Sequence, residues 1–196
     1  DAFRSGRNWH TSNVRSMADM FENAQSLTTL NVSNWNTSKV IDMSSIFRNA
    51  RGLTTLNIGN WNTSNVTNMV YMFYNVNKLT ILNVSNWNTS KVTNMYQMFY
   101  NANNLTTIYA GSGWSTASVT NSYRMFYNAT KLRGGQGTTY SASYVDKTRA
   151  KIDGGTSNPG YFTAAGAKGV NGGSGDEIKN TGSGTELLKS ANVSKS

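Results

Sequence analysis

Between one tryptophan and the next, apolar residues recur first at helical spacing and then at strand spacing. In residues 61–86, WNTSNVTNMVYMFYNVNKLTILNVSN, the positions Val66, Met69, Met72, Phe73 and Val76 fall at i, i+3, i+6, i+7 and i+10. At 100° per residue they occupy a stripe of about 120°, which predicts one buried helix face. Ser16, Asp42, Asn68, Asn94 and Asn121 sit where that helix would begin, and all five are N-cap types. Asn23, Asn49, Asn75, Asn101 and Asn128 sit where it would stop. Asparagine tolerates the left-handed conformation that ends a helix. The predicted helix has only about two turns and depends on its neighbours to persist.

A strand pattern follows. LTTLNV at 27–32, LTTLNI at 53–58, LTILNV at 79–84 and LTTIYA at 105–110 place Leu30 and Val32 inward and Thr29, Asn31 and Ser33 outward. The whole pattern repeats. Trp9, Trp35, Trp61, Trp87 and Trp114 are separated by 26, 26, 26 and 27 residues. Such a period predicts a solenoid, in which each unit buries its apolar face by stacking on the next. The expected fold is α/β, a leucine-rich-repeat solenoid of about five coils over 1–132. Each coil is expected to hold a short parallel strand and a short helix. The methionines at helical spacing read as core filling rather than as metal ligands.

Residues 133–162 are expected to close the far end. Thr148, Ala150 and Ile152 alternate with charged residues as in a half-buried strand, and Tyr161 and Phe162 can plug the core. Residues 163–196 are rich in Gly, Ser and Asn, which predicts a flexible linker or tail.

The repeated W-N-T-S-x-V-x-x-M-x-x-M-F-x-N-A-x-x-L-T-x-L-N-V resembles the BspA-type leucine-rich repeat of bacterial surface proteins, over roughly residues 9–132. Residues 146–162, DKTRAKIDGGTSNPGYF, resemble the element that closes such arrays. The resemblance implies an extracellular protein, secreted or on the bacterial cell surface. It also implies adhesion to host matrix protein, mucin or glycan, without catalysis. The last unit departs from the pattern: Ser122 replaces Met, Tyr109 replaces Asn, and one residue is inserted before Trp114. No wall-sorting motif or lipoprotein cysteine is present in the sequence.

Charged residues are only 14% of the chain, and there is no cysteine. A disulfide framework or thiolate metal site is therefore excluded. The lone His10 reads as a surface residue, and Asp19 with Glu22 as a solvated face. No catalytic residue, metal ligand or cofactor site is predicted. The net charge of +9 favours an anionic polymer as a possible partner, although the basic residues are scattered. No segment is long and apolar enough to span a membrane, and a monomer is expected.

Two surfaces remain as candidates. One is the strand face, with Thr29, Asn31, Thr55, Asn57, Asn83, Ser85 and Tyr109 in columns. The other is the helix face of the later units, with Tyr71, Tyr74, Tyr100, Arg124 and Tyr127, flanked by Tyr96 and Tyr123. Exposed tyrosines beside cations are enriched at binding surfaces. The same tyrosine columns are equally able to pack between neighbouring coils, and sequence alone leaves both readings open. The function expected is a non-catalytic adhesion or interaction module. The alternatives are a cationic binder of wall polymer or nucleic acid, and a structural spacer on the cell surface.

Overall fold

The structure, a computed structural model, describes residues 10–166. Successive repeats stack as coils whose strands run parallel. The strands are β1 (Thr29–Asn31), β2 (Thr55–Asn57), β3 (Ile81–Val84), β4 (Thr107–Ala110) and β5 (Phe162–Ala164). β1 pairs with β2 in one sheet, and β3, β4 and β5 form a second in that order. Leu30 aligns with Leu56, and Leu82 with Ile108 and then Phe162, so each inward residue stacks on its counterpart.

The expected helices are absent. Among the described residues the only helical segments are two 3-10 turns, Lys147–Arg149 and Gly155–Ser157. What replaces each helix is a chain of turns joined sideways to the next coil. Met69, Tyr71, Phe73 and Asn75 donate their backbone N–H groups to the carbonyls of Asn94, Tyr96, Met98 and Tyr100, at 2.8–3.1 Å. The alternate residues close turns instead, as in Met72 N–H to Met69 O, Tyr74 N–H to Tyr71 O and Val76 N–H to Phe73 O. A helix beginning at Asn68 would instead turn the N–H groups of Phe73, Tyr74, Asn75 and Val76 onto carbonyls four residues earlier in the same coil.

Left-handed residues enforce the path. Asp19, Ser45, Tyr71, Gln97 and Arg124 have φ between 50° and 62°, and the five stop asparagines have φ between 57° and 63°. Two such residues per coil prevent a helix, because left-handed backbone costs roughly 1–2 kcal/mol and occurs singly. The turns still place residues 69, 72, 73 and 76 on one side, where all are buried. The apolar spacing therefore identified the core and misassigned the backbone.

The predicted N-caps do cap, but they open turns. Oδ1 of Asp42, Asn68, Asn94 and Asn121 accepts the N–H two residues on, at 2.9–3.2 Å. The stop asparagines do more than tolerate their conformation. Their side chains form a ladder through the whole stack: Asn49 Nδ2 to Asn23 Oδ1 at 2.9 Å, Asn75 to Asn49 at 2.8 Å, Asn101 to Asn75 at 2.9 Å and Asn128 to Asn101 at 3.0 Å. Inside, Phe21, Phe47, Phe73, Phe99 and Phe126 stack at 5.3–5.8 Å between successive centroids. Burying each ring is favourable by about 1.5–3 kcal/mol.

The fifth coil is closed by a long excursion. Phe126 N–H donates to Val145 O and the Trp114 indole donates to Ala150 O, so residues 145–150 stand where a sixth coil would stack. The half-buried strand expected around Thr148 is instead the 3-10 turn, capped by the Asp146 side chain on Thr148 N–H. Chain 162–164 then supplies the strand of this coil, so β5 crosses the expected boundary at 163 and Thr163 is buried. The tail expected over 163–196 lies, from 167 on, outside the described residues.

Asp153 pins the excursion together. It is 5% exposed, and its carboxylate accepts from Gln136 N–H, Thr138 N–H and hydroxyl, Gly155 N–H and Gly160 N–H. Burial pushes its pKa up, but the bonds from Thr138, Gly155 and Gly160 outweigh it and hold the group at about 2.

Two outcomes follow for stability. Asn75→Ala removes two ladder bonds and leaves an alanine in left-handed backbone, a loss of about 3 kcal/mol by urea unfolding. A loss under about 1 kcal/mol would contradict the ladder's role. For Asp153, the folded pKa lies below the unfolded one, so its contribution of about 2–3 kcal/mol is complete above pH ~4 and disappears as pH falls through about 2. Thermal unfolding of Asp153→Asn should therefore be well below that of the unsubstituted protein at neutral pH and should converge with it in acid.

Candidate functional site

Three positions of the turn face vary between coils. The column of residues 22, 48, 74, 100 and 127 reads Glu, Arg, Tyr, Tyr, Tyr. The column 19, 45, 71, 97 and 124 reads Asp, Ser, Tyr, Gln, Arg, and the column 18, 44, 70, 96 and 123 reads Ala, Ser, Val, Tyr, Tyr. Because the coils stack in register, these columns run side by side.

The tyrosines meet in one ridge. Tyr74, Tyr100 and Tyr127 stack at 4.9 Å between successive centroids, with interplanar angles of 12° and 21°. Tyr96 stacks on Tyr123 at 5.9 Å and meets Tyr71 edge-on at 5.4 Å, and Tyr71 meets Tyr74 edge-on at 5.5 Å. Aromatic pairs in these arrangements contribute about 0.5–1.5 kcal/mol beyond burial. Packing and exposure thus coexist. Tyr123 is 55% and Tyr127 41% exposed, while Tyr71, Tyr74, Tyr96 and Tyr100 are half-buried. Within the stacks the ring faces contact one another, so the edges carrying the hydroxyls are what the ridge can offer a ligand.

A cation stands at each end. The Arg48 guanidinium lies 4.5 Å from the Tyr71 centroid and 5.2 Å from Tyr74, and Arg124 lies 5.2 Å from Tyr123 and 4.9 Å from Tyr127. Cation–π contacts of this kind are worth about 0.5–1 kcal/mol when exposed. Glu22 reaches Arg48 at 3.7 Å, a half-exposed pair of small net strength. The Tyr96 phenol has a raised pKa, by desolvation first and then by the adjacent Tyr71. Arg48 was not among the expected site residues, although its place in the column of Tyr74 and Tyr100 was visible from the repeat period.

The strand face is less open than expected. Thr29 and Asn31 are exposed and Thr55 is half-buried, but Asn57, Asn83, Ser85 and Tyr109 are buried. Its polar groups also bond to each other. Asn31 Oδ1 accepts from Ser33 and from Asn57 Nδ2, and Asn83 Oδ1 accepts from the Ser85 N–H and hydroxyl. Tyr109 packs with Ile81, separate from the main core, and desolvation raises its phenol to about 12.

For other chemistry the geometry offers little. No cluster of three metal-ligating side chains occurs among the described residues. His10 is exposed, and Asp19 points from left-handed backbone on an exposed turn. A depression of about 510 Å³ at the first coil is lined by Met20, Glu22, Asn23, Leu27 and Thr29, on the Glu22 side of the Glu22–Arg48 pair. No helix among the described residues is long and apolar enough to cross a membrane.

The Tyr109 phenol provides a direct check on the closed strand face. Its folded pKa lies above the unfolded value near 10, so the associated stability is complete below pH ~10 and is lost as pH rises through about 12. In an ultraviolet absorbance titration Tyr96, Tyr109 and Tyr161 should ionise later than the exposed tyrosines, and Tyr109→Phe should remove one tyrosine from the late part of the curve. Loss of that tyrosine from the early part instead would mean the phenol is open to water.

The sequence model of one family, described as "Mycoplasma protein of unknown function, DUF285", matches residues 3–108 and again 53–158. The two placements overlap over 53–108, as a model spanning several copies of one repeat can when laid twice on an array. No curated protein and no solved structure matches the chain. Together the placements reach from residue 3 to residue 158, and the chain belongs to the DUF285 family.

Proposed function

We propose that this chain is a non-catalytic interaction module of a bacterial surface or secreted protein, binding host matrix protein, mucin or glycan through its tyrosine ridge. The observation that carries this reading is the gathering of six tyrosines from three adjacent coils between Arg48 and Arg124. Tyrosine offers large contact area at low entropy cost, and its hydroxyl hydrogen-bonds sugars or peptide groups. The two guanidinium groups select anionic ligands by geometry as well as charge. The net charge of +9 draws such ligands in. The BspA-type character of the repeat supports a leucine-rich-repeat surface protein with an adhesive role.

A panel of sulfated and sialylated glycans, mucin and matrix proteins, probed at two salt concentrations, tests the reading. Binding should appear with an anionic glycan or glycoprotein and fall at least about tenfold in Arg124→Ala/Tyr127→Ala, whose side chains are exposed. Binding that survives this double variant would place the ligand elsewhere. Binding to nucleic acid or wall polymer with a steep salt slope would favour the cationic-binder alternative. No binding at all would favour a spacer.

A further inference from the structure

The capping excursion surrounds a cavity of about 340 Å³, lined by Gln136, Thr138, Thr139, Arg149, Gly155 and Thr156 among others. That volume lies at the small end of the range for ligand pockets, roughly 300–1,000 Å³. The chain at 136–139 and the chain at 155–156 meet here, since a Cβ on Gly155 would stand 3.9 Å from the Gln136 Cβ. Gly155 has φ 76°, so its part of the wall is bare backbone in a conformation that suits glycine. Asp153 lies behind the lining. It is buried and accepts from the N–H groups of Gln136, Thr138 and Gly155, which turns its charge onto the wall.

Arg149 brings a cation to the cavity. Its guanidinium lies 4.0 Å from the Tyr144 centroid, and its Nε is buried without a partner. Arg133 bridges to Thr139, and its Nη2 lies 3.7 Å from the point a Cβ would take on Gly137. Among the described residues no carboxylate is within ion-pair distance of either arginine. The excursion 133–162 carries four cations, Arg133, Lys147, Arg149 and Lys151, against two acids, Asp146 and Asp153. Asp146 is turned onto the Thr148 N–H. The balance favours an anion, and a guanidinium stacked on a ring still presents its edge to a carboxylate.

The rest of the lining is hydroxyl and amide. Thr138 Oγ1 donates to Asp153 Oδ1 at 2.7 Å, so toward a ligand it acts as an acceptor. Thr139, Thr156 and Gln136 are exposed, and their side chains both donate and accept. A matching ligand carries one carboxylate and several hydroxyl groups within the size of a single ring. We propose that this cavity is a second ligand site, taking one acidic sugar residue with its carboxylate on Arg149 and its hydroxyls on Thr138, Thr139, Thr156 and Gln136. An acidic peptide side chain offers the carboxylate without the hydroxyls. The site shares no residue with the tyrosine ridge and does not rest on the ridge's binding role.

Amide chemical shifts of the labelled full chain, titrated with methyl glucuronide and separately with N-acetylneuraminic acid, test the proposal. At least one of the two should move the amides of Gln136, Gly137, Thr138 and Thr156, with a Kd of about 1–10 mM for so small a ligand. Neutral methyl glucoside should bind at least about tenfold more weakly, and Arg149→Gln should cost the acidic sugar a similar factor. Because Arg149 also packs on Tyr144, Thr156→Val gives a second reading at an exposed side chain, with a loss of about threefold or more. Arg124→Ala/Tyr127→Ala should leave these shifts unchanged, whatever it does to binding at the ridge. Loss of the shifts in that ridge variant would overturn the proposal, as would an unaltered affinity in both Arg149→Gln and Thr156→Val. No shift with either sugar up to about 50 mM would also overturn it. So would acetate or aspartate binding as tightly as the sugar, which would mark an unselective carboxylate or acidic-peptide site.

Discussion

Every level of this molecule depends on backbone hydrogen bonds made between coils rather than within them. At each junction on the turn side, alternate N–H groups cross to the next coil, and the residues between them fold back into turns. Each bond contributes about 1 kcal/mol net, and a coil alone would make almost none of them. Stability is therefore a property of neighbours, as in other one-dimensional stacks. The same constraint sets the register, and the register aligns the phenylalanine stack, the amide ladder and the tyrosine ridge.

The side-chain chemistry serves that geometry. Asparagine dominates because one residue type meets three demands: it opens turns through Oδ1, adopts left-handed backbone, and hydrogen-bonds its own copy one coil away. Threonine does similar work at 37, 63 and 89, where buried hydroxyls donate to the carbonyls of Asn62, Asn88 and Ser115. A surface made this way needs few charges. That leaves Arg48, paired with Glu22, and Arg124 among the few charges of the turn face, each held against two tyrosine rings.

Much of this was legible in the residues and part of it was not. The period, the strands and most of the buried Trp, Val, Met, Phe and Leu positions appear where the spacing places them, whereas Met20 is 40% exposed and Val14, Leu27 and Trp114 are only partly buried. The helices do not, because a run of turns puts residues 69, 72, 73 and 76 on one side just as a helix does. The left-handed residues at Tyr71 and Gln97 gave no warning, since neither type favours that conformation. Asn75 did carry the signal, but it reads equally as a helix stop. The tyrosine columns were visible, whereas the ring geometry and the addition of Arg48 required the stacked coils. Nor does two-residue alternation reveal that Asn57, Asn83 and Tyr109 are buried.

The proposed binding role depends on that stack, because the ridge exists only where coils three to five are held in register. The cross-coil ladder is also the point at which this fold parts from a helical leucine-rich repeat. Scalar couplings across hydrogen bonds, measured by NMR on labelled protein, test it directly. They should connect the Tyr71 amide nitrogen to the Tyr96 carbonyl carbon, and the Phe73 nitrogen to the Met98 carbonyl carbon. Couplings from residues 73–76 to carbonyls four residues earlier in the same coil would contradict it.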